Sequence, residues 1–241
     1  MSVYMRGLLG LLLAAMTQNA IASQSRWETV VERSEIHVSE RWDKSKALPA
    51  FRGQVTLDSD IWSILSILQD TARSHEWVHR CMESRQLERH GLTHYVIYNR
   101  TDAPWPFQDR DVVVASTVTI PEGANEIFIK IESTDHPAAP TPDDTTRMPY
   151  LLGHYRLKML TPLTTWVEYQ IDADPGGDLP RWLIRLATKD LPFRTLDGLR
   201  SRVATVAQEE RYKTIAAQFR ALYHERTRDK SDTTSVSIAG H

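Results

Sequence analysis

Thiol chemistry is nearly absent from this chain, because Cys81 is the single cysteine among 241 residues. No intramolecular disulfide and no thiolate metal cluster can form, which excludes zinc fingers and iron-sulfur centres. An excess of one charge is missing as well. Lys and Arg number 29 against 31 Asp and Glu, a formal net charge of -2. That balance gives no support to a nucleic-acid partner, which requires a basic excess clustered on one face. Beyond the N-terminal segment no run is apolar enough to span a bilayer. Nucleotide and nucleophile signatures are lacking too: there is no G-x-S-x-G elbow, no Walker-type loop and no G-x-G-x-x-G. No internal repeat and no domain linker divides the chain. What is present is an ordinary globular composition, 41% hydrophobic and 25% charged, with enough chain for one large domain or two small ones.

The N-terminus reads as a secretory leader. Arg6 supplies a positive n-region, Gly7 to Met16 an apolar core, and Ala20-Ile21-Ala22 a small-x-small cleavage pattern. The core is too short for a membrane helix, and Thr17, Gln18 and Asn19 follow it. The expectation is a signal peptide at 1–22, a folded domain at 23–226 and a polar, disordered tail at 227–241 rich in Ser and Thr. An exported protein with one cysteine fits the periplasm of a Gram-negative bacterium, with secretion as the alternative. Asn99-Arg100-Thr101 is a glycosylation sequon that matters only in a eukaryotic secretory pathway.

Alternation organises the mature chain. Trp27 to Trp42 predicts a strand pair turning near Arg33 to Glu35, and Phe51, Gly53, Val55 and Leu57 alternate with polar residues as in a strand with one wet face. Asp58, Ser59 and Asp60 offer caps for a helix carrying Ile61, Ile64, Leu65 and Leu68 up to about Ala72. Trp77 to Leu87 predicts extended chain, placing Glu83 on a face with Cys81, Arg85 and Leu87. Tyr95 to Val114 then flanks a Pro-rich loop, Pro104-Trp105-Pro106-Phe107, with two strands. In the second of these Arg110 heads the greasier face, ahead of Val112, Val114, Val118 and Ile120. A guanidinium there needs a carboxylate or a polar ligand, so it is either a structural ion pair or a ligand contact.

Ile127, Ile129 and Ile131 mark a further strand, and Val167, Tyr169 and Ile171 share a face in another, before Gly176-Gly177 turn the chain from sheet to helix. Leu179, Trp182, Leu183 and Leu186 form an apolar stripe after Asp178 and Pro180, with Pro192 expected to kink or interrupt it. The stripe resumes with Leu196, Leu199, Val203 and Val206, then Ile215, Phe219 and Leu222, to about Arg226. Antiparallel strands, a middle helix and a long final helix predict an α+β layout with a curved sheet folded over that helix, enclosing a cavity if the helix does not fill it.

Four landmarks occur in order: FRGQVTLD at Phe51, Glu76-Trp77, PWPFQDRDVV at Pro104 and GGDLPRWL at Gly176. In these the chain from Trp27 to about Val203 resembles the START family of lipid-transfer domains. The resemblance implies a helix-grip fold, a curved antiparallel sheet around a long C-terminal helix with a hydrophobic tunnel between them. It implies a monomer that binds one lipid or other hydrophobic ligand without catalysis or cofactor, with transient membrane-surface contact. Carried onto this chain, the family's tunnel carboxylate falls on Glu83 and its arginine on Arg110, as an ion pair or as ligand contacts beside Tyr169. The gate would be Trp105 and Phe107 closing on Leu183 and Leu186. The extension from Ala204 to His241 has no assigned role.

Two rival readings share these residues. His75-Glu76-Trp77-Val78-His79 fits H-E-x-x-H, but Met82 and Arg85 stand where the longer zinc-protease motif needs Gly and His, and the motif abuts extended chain. It reads as a chance match without metal. An enzyme on the same fold would use Glu83, Arg110, Tyr169 and His154, while an envelope interaction module would need no tunnel at all.

Overall fold

The computed structural model describes residues 26–43, 46, 48–121 and 125–238, without the side chains of 181, 184–188 and 226–238. The predicted leader at 1–22 lies outside these residues. Strands β1 (Glu28–Arg33) and β2 (Ile36–Arg41) form a hairpin through Ser34 and Glu35, both at positive φ. Next come β3 (Ala50–Leu57), helix α1 (Ile61–Gln69) and a 3-10 helix (Thr71–Glu76). Strands β4 (Cys81–His90), β5 (His94–Thr101), β6 (Asp109–Thr119) and β7 (Glu126–Ser133) follow. After them lie β8 (Thr145–Arg147), β9 (Tyr150–Thr161), β10 (Thr164–Asp174), α2 (Arg181–Val206) and α3 (Glu210–Ile238).

One sheet runs in the order β1-β2-β3-β10-β9-β7-β6-β5-β4, antiparallel at every step, with short β8 added parallel to β6. The α+β helix-grip expectation therefore holds. Its alternation becomes two faces: Val55, Leu57, Val112, Val114, Ile127, Ile129, Val167 and Ile171 are all buried toward the helices. Asp60 caps α1 by accepting from the amides of Trp62 and Ser63 at 3.1 and 3.2 Å, so the helix begins where the Asp-Ser-Asp signal put it.

α2 lies across this face, burying Phe193, Leu196, Leu199 and Val203. Glycine permits the approach on both sides. A Cβ on Gly53 of β3 would come within 2.7 Å of Leu196 and 3.3 Å of Pro192, and one on Gly198 would strike the Trp77 carbonyl at 2.2 Å. Pro192 does not end α2, contrary to an interruption there, because the apolar stripe on either side gains more by packing on the sheet than one proline loses. The chain breaks at Ala207–Glu209 instead, and α3 turns back against α1, burying Tyr212, Ala216 and Phe219. α3 is helical to Ile238, well into the segment expected to be disordered. Trp77, expected in a strand, caps the 3-10 helix and is buried under α2; β4 starts only at Cys81.

Candidate functional site

A cavity of about 570 Å³ lies between the concave sheet face, the 3-10 helix and the first half of α2. Its walls are mostly aliphatic and aromatic, including Phe51, Leu68, Ile97, Val114, Ile131 and Leu183. That size and lining fall within the range of small-molecule sites, about 300 to 1,000 Å³ and predominantly apolar.

Arg110 faces inward as alternation predicts, and it is buried at 8% exposure. The carboxylate assigned to it is elsewhere. Between Cys81 and Glu83 the register of β4 against β5 shifts by a bulge at Met82, so Cys81 and Ser84 face the cavity and Glu83 and Arg85 turn outward. Glu83 there accepts from Arg85 at 2.9 Å in solvent. Arg110 instead donates to three backbone carbonyls, Nε to Pro175 at 3.2 Å, one terminal nitrogen to Gly176 at 3.1 Å and the other to Gln108. Burial pushes its pKa down, with Asp109 opposing. The guanidinium thus pins the Gly176-Gly177 turn, both residues at positive φ, to the start of β6.

Its neighbours hold the loop. Asp109 accepts from Arg100 at 2.8 Å and from the Ala103 amide at 3.1 Å, fixing the base of the Pro-Trp-Pro segment. Asp111 points to the outer face and takes a two-pronged bond from Arg147 at 3.0 and 2.8 Å, which ties β8 to β6. Ala103 and Pro104 line the cavity, whereas Trp105 stands 92% exposed and Phe107 is half-buried. Across the mouth Leu183 is buried in the lining and Trp182 is 64% exposed. The side chain of Leu186 is outside the described residues.

Tyr169 lines the cavity, and the structure adds a partner that alternation did not single out. Tyr155 sits opposite it in the β9–β10 register, the rings stacked with centroids 4.6 Å apart and planes 18° apart. Burial pushes both phenols well above their ordinary pKa, and Cys81 adds to the effect on Tyr169. Burial likewise pushes the Cys81 thiol up to about 11, so it stays protonated and poorly nucleophilic. Ser84 and Tyr95 are further inward-facing groups that sequence reasoning missed. The bulge concealed Ser84, while Gly153, Tyr155 and Leu157 do alternate in the sequence and are a signal that could have found Tyr155.

The four groups that a catalytic reading requires do not converge. Arg110 and Tyr169 are inside, but Glu83 is outside, and His154 lies on the outer sheet face, stacked on Phe128 and 3.2 Å from Glu168. The H-E-x-x-H residues are also apart in role. His75 and Glu76 end the 3-10 helix, Glu76 pairs with Arg202, and His79 lines the cavity with its pKa lowered by burial and by Arg194 and Arg80.

The START domain family model matches residues 10–210. The chain belongs to the START family. The match begins inside the segment read as a leader and ends at the start of α3. An uncharacterized protein of Pseudomonas aeruginosa is 30% identical over 202 residues, covering 82% of this chain and 98% of that protein. The bovine phosphatidylcholine transfer protein is 27% identical over 184 residues, 73% of this chain and 83% of its own length. Among solved structures, a STAR-related lipid transfer protein from Xanthomonas axonopodis (fragment 25-204) superposes with a TM-score of 0.67 at 28% identity, over 74% of this chain and 99% of that one. The family match thus spans the sheet and α2 and reaches Glu210, the first residue of α3.

Proposed function

We propose that this START protein binds one lipid in its cavity and carries it without chemical change. The observation that carries the reading is the cavity itself, about 570 Å³ of mainly apolar wall whose one deeply buried cation is already bonded to backbone carbonyls. Family membership and the lipid-transfer relatives support it. Affinity would come from burying hydrocarbon at about 0.8 kcal/mol per methylene, with selectivity from shape and a few polar groups.

Access runs past the Pro-Trp-Pro loop and the start of α2. Trp105 and Trp182 are exposed beside this mouth, and indole rings favour a membrane interface, so the mouth is the surface that touches the donor bilayer. Export with loss of residues 1–22 places the exchange in a bacterial envelope. One measurement tests these points together: native mass spectrometry of protein purified from its own envelope. The expected mass lacks the leader and carries a single lipid-sized adduct. A mass that includes Met1 overturns export. Protein that arrives empty and takes up nothing from lipid vesicles overturns carriage, and conversion of a supplied lipid overturns the absence of chemistry.

A further inference from the structure

We infer that the cavity selects ligands by a neutral oxygen, a hydroxyl or ketone set in an otherwise apolar body, which bonds to the hydroxyls of Tyr155 and Tyr169. This rests on the lipid-binding reading and narrows it. The two tyrosines come from paired strands, stack at 4.6 Å, are each 8% exposed, and both line the cavity. Among the described residues no hydrogen bond reaches either hydroxyl. Ser84, turned inward by the β4 bulge, lines the same cavity with its Oγ buried and unpartnered.

Two other polar groups within are already engaged. Tyr95 accepts from Gln69 at 2.6 Å, and Arg110 gives its donors to the carbonyls of Gln108, Pro175 and Gly176. Three hydroxyls are thus left without partners in an apolar wall, a costly arrangement for an all-hydrocarbon ligand. Burial keeps both phenols protonated, so each can donate to a ketone or hydroxyl oxygen and accept from a hydroxyl. A carboxylate or phosphate at that depth would meet dipoles and an Arg110 already committed to carbonyls, since Arg194 of the lining is exposed to solvent, and its desolvation would go uncompensated. The chemistry that fits is therefore neutral and oxygenated.

Competition for a neutral cavity dye, N-phenyl-1-naphthylamine, tests this with matched probes: hexadecan-1-ol, hexadecane and hexadecanoate, and cholesterol beside 5-cholestene. The unmodified protein is expected to bind at least one alcohol about tenfold tighter than its oxygen-free partner, and hexadecan-1-ol tighter than hexadecanoate. Tyr155→Phe and Tyr169→Phe keep the ring stack, and the double variant should lose most of that preference, binding the alcohols more weakly and the oxygen-free probes no more weakly than before. Equal binding of alcohols and hydrocarbons, a preference for the carboxylate, or a preference that survives in the folded double variant overturns the inference and leaves lipid binding standing. Failure of every probe to displace the dye overturns both. Should the double variant not fold, the probe series on the unmodified protein still decides.

Discussion

At the residue scale, Arg110 and Glu83 make the sharpest contrast, since one is a buried brace and the other a surface charge. Arg110→Met removes the donors that satisfy the carbonyls of Gln108, Pro175 and Gly176 and should cost about 2 to 4 kcal/mol in urea unfolding, as buried acceptors lose their partners. Glu83→Gln only weakens an exposed pair with Arg85 and should cost less than about 1 kcal/mol. A double-mutant cycle between them is expected to show no coupling beyond error, and coupling above about 1 kcal/mol would mean that the two side chains meet. On the outer face Glu168 gives a pH test. Burial works against its charge most strongly, yet bonds from His154 and Gln54 at 3.2 and 2.7 Å and the charge of Arg52 leave its pKa below the ordinary 4.5. A depressed folded-state pKa stabilises fully above the unfolded value and is lost as pH falls through the folded one. Stability should therefore decline below about pH 4.5, and Glu168→Gln should flatten that decline in unfolding curves taken between about pH 5 and 3.

At the scale of elements, α3 depends on a buried polar knot. Asp70, at the end of α1, accepts from Arg211 at 2.6 Å and from the Tyr212 hydroxyl at 3.0 Å, and that hydroxyl accepts from Arg202 of α2 at 2.9 Å. Arg202 in turn pairs with Glu76 of the 3-10 helix, a segment whose Thr71 and Ser74 line the cavity. The last helix is thereby fastened to the cavity wall. Tyr212→Phe keeps the ring in place and breaks both hydroxyl bonds, so a loss of about 1 to 3 kcal/mol is expected by chemical denaturation. An unchanged unfolding midpoint would show that α3 is held by Phe219 and Ala216 packing alone.

For the whole molecule the open question is which part moves. The loop base is anchored by Asp109, and its tip carries an exposed Trp105 facing no wall. The start of α2 has no side-chain cap, since Pro180 occupies that position. Both features leave this end the least restrained rim of the cavity. In a Cys81→Ser background, one cysteine placed in the 104–107 loop and one in the first turns of α2 should, once oxidised, stop lipid exchange between vesicles, and reduction should restore it. A confirmed crosslink that leaves the exchange rate unaltered would show that the ligand enters elsewhere.

The sequence by itself determined the half-buried strands, the inward Arg110 and the buried stripe of Leu196, Leu199 and Val203 in α2, because each is a local periodicity of 2 or 3.6 residues that needs no partner to be read, and the Asp60 cap, which residue type alone signals. It also carried the START landmarks in order. Tertiary structure decided what such periodicity cannot encode. A bulge at Met82 inverted the side of Glu83 and exposed Ser84 to the cavity, because one extra residue shifts every later side chain to the other face. The pairing of β3 with β10, more than a hundred residues apart in sequence, joined the first three strands to the rest of the sheet and set α2 on Gly53. The β9–β10 register put Tyr155 on Tyr169. Where the final helical stripe broke in two, Asp70, distant in sequence and near in space, holds Tyr212 and Arg211 at the start of α3. In each case a contact between remote segments overrode a local pattern, and those contacts are what shape the cavity.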